Sequence, residues 1–113
     1  DELTSCGANQ VFGIGELATE RIEKWLPERW KVETGNYSDL SGGNLAENLK
    51  IMKSLLDGNA PDTLRITVLM NAATAFWIQG RCCSMGEGME LAESLLVNGT
   101  VKQWLEKVSS FFK

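Results

Sequence analysis

The sequence contains no histidine, which removes the commonest general base, the usual activator of a serine or cysteine nucleophile and the commonest transition-metal ligand. A hydrolase built on a Ser/His or Cys/His pair therefore has no support. Cysteine is scarce as well. Cys6, Cys82 and Cys83 form an odd set, two of them adjacent and badly placed to pair with each other, and no Cys-x-x-Cys spacing offers a zinc site. This usage fits a reducing, cytoplasmic compartment better than a disulfide-stapled secreted domain. Long apolar runs are also missing. The richest stretch, Val68 to Ile78, is interrupted by Asn71 and Thr74 and falls well short of the roughly 20 residues a membrane span needs. Basic residues neither dominate nor cluster. Lys and Arg total 11 against 15 Asp and Glu, for a net charge of −4, which argues against a protein that tracks the phosphate backbone of nucleic acid.

What is present describes one globular unit of 113 residues, 43% hydrophobic and 23% charged, within the ordinary range for a folded domain. The chain starts at Asp1 without a Met, a leader or a polar tail, and so reads as a piece cut from a longer polypeptide.

Helix punctuation is clearest in the second half. Asn44 and Glu47 form a plausible capping box before Leu45, Leu49, Met52, Leu55 and Leu56, which share one helical face, and Gly58 ends that run. After Pro61, Asp62 can cap a second helix whose broad apolar stripe includes Leu64, Val68, Leu69, Ala72, Ala73, Phe76 and Trp77, closed by Gly80. Its small centre, Ala72-Ala73, predicts close packing against a neighbour. Ser84 with Glu87 and Thr100 with Gln103 are two further capping-box pairs. The first precedes an inner face of Met85, Met89, Ala92 and Leu96; the second precedes one of Val101, Trp104, Leu105, Val108 and Phe112, with Gly99 between them. These four helices are expected to form a compact array.

The first half is predicted as two short strands, residues 10–15 and 21–26, joined by a tight connection. On propensity alone Glu16 to Leu26 reads equally as a helix. Pro27 ends either element, and Glu33 to Gly43 reads as a loop from its Gly, Asn and Ser content. Gly13-Ile14-Gly15 with Ala18 loosely fits a dinucleotide fingerprint, but Pro27 and the loop leave no room for a βαβ unit. Ser41-Gly42-Gly43 before a helix start could cradle an anion; as a turn and cap it needs no ligand.

Taken in order, the residues resemble a known family. Asp39-Leu40-Ser41-Gly42-Gly43-Asn44 through Ala46-Glu47-Asn48, then Leu69-Met70-Asn71-Ala72-Ala73, Gly80-Arg81, Ser84, Glu87-Gly88, Leu91-Ala92 and Asn98-Gly99 are similar to the C-terminal portion of anthranilate phosphoribosyltransferases. The opening Asp1-Glu2-Leu3, followed by Gly7 and Val11, resembles that family's Asp-Glu segment. Ala8-Asn9 stands where a Pro-Thr pair is common, and Asn44 where Asp is usual.

The resemblance implies an α/β fold in which a short β-hairpin and about four helices form the C-terminal part of the nucleoside phosphorylase/phosphoribosyltransferase α/β domain. Earlier sequence would supply a small helical domain and the Gly-rich pyrophosphate loop. It further implies transfer of phosphoribose from phosphoribosyl pyrophosphate to anthranilate in tryptophan biosynthesis, by an enzyme that works as a homodimer. In this reading Asp1 and Glu2 hold Mg²⁺, which prefers hard oxygen ligands and usually takes one or two carboxylates plus substrate phosphates. No anthranilate-binding residue falls in this segment, so the chain alone is expected to be inactive. The competing reading from another class is a non-enzymatic interaction module on the same fold.

Overall fold

The computed structural model describes residues 2–113. Two strands, β1 (Asn9–Val11) and β2 (Glu23–Trp25), pair antiparallel with Asn9 opposite Trp25 and Val11 opposite Glu23. The predicted hairpin exists, but its strands are shorter than residues 10–15 and 21–26, and its connection is not tight. The Gly13 amide donates to Thr19 Oγ1 at 3.0 Å and the Thr19 amide returns to the Gly13 carbonyl at 3.1 Å. These two bonds fold residues 12–19 out of the sheet, leaving Phe12 and Ile14 exposed. A Cβ at Gly13 would collide with the Leu17 carbonyl oxygen, so only glycine allows this closure. Within the stretch that read equally as a helix, only one turn of 3₁₀ helix forms, Gly15–Leu17, and Ala18 leaves it in an extended conformation. Because β1 runs through this turn into an antiparallel partner, the dinucleotide-binding reading of Gly13-Ile14-Gly15 is excluded. Pro27 closes β2 and opens a 3₁₀ turn, Pro27–Trp30, and a further 3₁₀ turn, Tyr37–Leu40, lies within the expected loop.

Four helices follow: α1 (Leu45–Leu56), α2 (Asp62–Ile78), α3 (Met85–Val97) and α4 (Thr100–Phe111). The Asn44 cap of α1 forms in full. Asn44 Oδ1 accepts from the Glu47 amide at 3.0 Å and Glu47 Oε2 accepts from the Asn44 amide at 2.7 Å. Ser84 caps α3 at 3.2 Å, but Glu87 reaches past it to the Cys83 amide at 2.8 Å. Two expected caps do not form. Asp62 lies inside α2, where it pairs with Arg65 at 3.2 Å, and Pro61 takes the cap position without a side-chain bond. Gly99 precedes α4 with φ 80°, and Asn98 Oδ1 takes both the amide and the hydroxyl of Thr100, leaving no Thr100–Gln103 box.

The core lies where the hairpin rests on the α2–α3 pair. Trp25, Ala73 and Met85 are buried together, with Leu3, Val11, Trp30, Trp77 and Met89 around them. The Trp25 ring meets Trp30 edge-on at 5.6 Å and Trp77 at 6.0 Å, separations at which aromatic pairs attract beyond their buried area. The expected close approach at Ala73 is realised against Gly88 of α3, where a Cβ would lie 2.8 Å from the Ala73 carbonyl oxygen. The outer helices depart from the expected array. Neither α1 nor α4 buries a residue, and their stripes stand in solvent at Leu45, Leu49, Trp104 and Phe112. The radius of gyration, 15.3 Å, exceeds the roughly 13 Å of a compact chain of this length.

Candidate functional site

Of the two residues expected to hold a metal, Asp1 lies outside the described residues, and Glu2 is exposed at the start of a segment docked along α2. What fixes that segment is a row of polar side chains spaced four apart on one helix face: Thr63, Thr67 and Asn71. Four-residue spacing stacks side chains above one another on a helix. Asn71 takes both backbone groups of Leu3, its Oδ1 accepting from the Leu3 amide at 2.9 Å and its Nδ2 donating to the Leu3 carbonyl at 2.8 Å. One step down, Thr67 Oγ1 accepts from the Ser5 amide at 3.1 Å. Below that, the Ser5 hydroxyl donates to the Thr63 carbonyl at 3.0 Å, and the Thr63 hydroxyl donates to Asp39 at 2.9 Å.

A second carboxamide works from the hairpin. Asn9, buried at the start of β1, accepts from the Thr4 amide at 2.8 Å through Oδ1 and donates to the Thr4 carbonyl at 3.0 Å through Nδ2. Consecutive residues thus each have both backbone groups paired by one asparagine side chain, Leu3 from α2 and Thr4 from β1. The Gly35 amide donates to the Ser5 carbonyl at 2.9 Å, joining the loop before Asp39 to the same point. Ser5 is fully buried. Buried backbone groups left unpaired would be costly, and here side chains pair them where no strand or helix does.

The Asn71 and Leu3 partners lie 68 residues apart, beyond the reach of any local sequence pattern. The α2 side nonetheless carried a local signal: Thr63, Thr67 and Asn71 recur at a constant four-residue interval on one face of α2.

The other candidates resolve as structure. At Ser41-Gly42-Gly43 the Gly43 amide donates to Asn48 Oδ1 at 2.9 Å and Asn48 Nδ2 donates back to the Gly43 carbonyl at 3.0 Å. With the Asn44–Glu47 box, this helix start is capped by its own side chains, as the ligand-free reading expects. Cys6, Cys82 and Cys83 are free thiols, and among the described residues no three His, Cys, Asp or Glu side chains gather as a metal cage. A groove of about 550 Å³ runs between α2 and α3 over Val32, Ile66, Leu69 and Met89. Its lining is apolar and Arg65 closes its rim on Glu93 at 2.5 Å; it holds no group from the Glu2 segment. No helix among the described residues is long and apolar enough to cross a membrane.

Comparison with known proteins agrees with this architecture. Residues 1–102 match the family described as glycosyl transferase family, a/b domain. An anthranilate phosphoribosyltransferase of Corynebacterium efficiens is 35% identical over 109 residues, covering 94% of this chain and 31% of that protein. One from Deinococcus radiodurans is 31% identical over 115 residues, covering 100% of this chain and 33% of the relative. The crystal structure of anthranilate phosphoribosyltransferase from Thermus thermophilus superposes with a TM-score of 0.85 at 29% identity, over 98% of this chain and 32% of that one. The chain therefore spans about a third of the length of the relatives it matches.

Proposed function

Since the chain belongs to the glycosyl transferase family through its α/β domain, we propose that it supplies one third of an anthranilate phosphoribosyltransferase, the part carrying the metal-binding acid segment. The whole enzyme would transfer phosphoribose from phosphoribosyl pyrophosphate to anthranilate and release pyrophosphate, in a cytoplasmic setting and as a homodimer. The observation that carries this reading is the likeness to enzymes of that name along almost the full chain. The interaction-module alternative has no specific observation in its favour.

The donor chemistry fits Mg²⁺. Glu2 offers hard carboxylate oxygens, is exposed, and leads into a segment that α2 and β1 hold by its backbone. Such an ion usually takes only one or two protein carboxylates and completes its shell with phosphates and water, so a full protein cage is not required. When bound, the ion would neutralise charge gathering on departing pyrophosphate. The chain's own contribution would be geometric: it holds the backbone that follows Glu2 while leaving the carboxylate open.

The test is a chimera in which this chain replaces the matching third of the Thermus thermophilus enzyme. Anthranilate consumption with phosphoribosyl pyrophosphate and Mg²⁺ is expected from the chimera and absent from the 113-residue chain alone. A folded but inert chimera would contradict the reading.

A further inference from the structure

We infer that Asn71 and Asn9 are positioning residues for the Glu2 carboxylate, and that they set its affinity for a divalent cation by clamping the backbone of the two residues that follow it. This inference rests on the metal reading above. Each carboxamide offers one acceptor and two donors on a rigid plane, so it pairs with both the N–H and the C=O of one residue, as a neighbouring strand would. Asn71 does this at Leu3 and Asn9 at Thr4. Both anchors are themselves held. Asn71 Nδ2 also donates to the Thr67 carbonyl one helical turn back at 2.8 Å, and Asn9 Nδ2 lies 3.3 Å from the Gly7 carbonyl and 3.4 Å from the Trp25 carbonyl. Glu2 is the residue immediately before the first clamped residue, so its Cα is fixed from one side. The backbone order a third strand would normally impose is here imposed by two side chains on different elements.

A carboxylate on a fixed backbone loses less conformational freedom on taking a cation than one on a frayed end, whose ordering the metal must offset. Groups that orient metal ligands typically change affinity 10–100-fold when removed. Removing Asn71 should therefore weaken the cation site without dismantling α2, whose packing comes from Leu69, Met70 and Ala73.

The experiment uses the chimeric enzyme described above, with Mn²⁺ and inorganic pyrophosphate as the probe. Paramagnetic broadening of the Glu2 and Leu3 amide signals is followed across a Mn²⁺ titration in the parent, Asn71→Leu, Asn9→Ala and Thr74→Val. Amide hydrogen exchange is measured alongside. Thr74→Val removes a hydrogen bond from the same helix, to the Met70 carbonyl and Met85 Sδ, without touching residues 3–5, and serves as the structural control. The expected result is a Mn²⁺ midpoint about tenfold higher in Asn71→Leu and raised in Asn9→Ala. Exchange at Leu3 should be faster in Asn71→Leu, α2 protection retained, and Thr74→Val should match the parent. Equal midpoints in the parent and Asn71→Leu overturn the positioning role alone. A shift shared by Thr74→Val overturns it too, because general loosening of α2 would then account for the effect. An absence of broadening in the parent overturns the metal reading and the inference together. If Asn71→Leu fails to fold, Asn71→Ser, whose shorter side chain cannot pair with both backbone groups of Leu3, replaces it, with a raised midpoint expected and an unchanged one contradicting the inference.

Discussion

Helices α1 and α2 are both amphipathic or apolar by composition, and their fates are opposite. In α2, Leu69, Met70 and Ala73 are buried and Met70 is 0% exposed; in α1 no residue is buried and Leu49 is 51% exposed. An apolar stripe records that a face is suited to a partner, but it does not say that the partner lies in the same chain. Helix α2 finds α3 on one side and the residue 3–5 segment on another. Helix α1 stands mostly in solvent and is tied to α4 by an exposed ion pair, Lys102 to Asp57 at 2.6 Å. The chain spans about a third of its relatives' length, and within it the stripes of α1 and α4 stay bare.

The largest expected effect falls on the buried side of this contrast. Met70→Ala should cost about 2–5 kcal/mol of stability, read from urea unfolding, and a loss below about 1 kcal/mol would mean that α2 is not the packed centre. Next is Asn44→Ala, which removes the side-chain acceptor of the Glu47 amide and leaves only the bond from the backbone amide at position 44 to Glu47. A loss of about 1 kcal/mol is expected, visible as faster amide exchange at the start of α1, since that helix has little tertiary packing to replace its cap.

A smaller effect is pH-dependent. The hydrogen bond from Lys102 lowers the Asp57 carboxyl below its ordinary range, and the same bond raises the Lys102 amine. A depressed carboxyl stabilises the fold above its unfolded pKa and loses that contribution as pH falls through the folded value. The amine does the converse, losing its contribution as pH rises through its raised value. Lys102→Met should therefore flatten the acid limb of the stability–pH curve slightly, and an unchanged limb would show that the exposed pair contributes nothing measurable. The smallest effect is expected at Leu49→Ala, within about 0.5 kcal/mol of the parent in urea unfolding. A core-sized loss there would erase the contrast with α2.

How far the fold could be read in advance follows the range of the forces involved. Helix ends were legible where a side chain bonds within its own turn, as Asn44 does with Glu47. They were misread at Asp62 and Thr100, where Arg65 and Asn98 compete for the same polar groups. The hairpin was recognisable, but its length was not, because the Gly13–Thr19 closure that ends β1 leaves no trace in alternation. Close packing at Ala73 was legible from residue size alone. The acid segment was recognised by family likeness, whereas the asparagines that hold it were not, since contacts between residues 3 and 71 belong to the tertiary structure and leave only the four-residue rhythm of Thr63, Thr67 and Asn71 behind.

The central claim, that Glu2 serves a metal site in a phosphoribosyl transfer, is tested most directly by the Mg²⁺ dependence of the chimeric enzyme carrying Glu2→Gln. Loss of one carboxylate ligand should raise the Mg²⁺ concentration needed for half-maximal turnover by about tenfold or more while the protein stays folded. An unchanged Mg²⁺ requirement at full turnover would contradict the account.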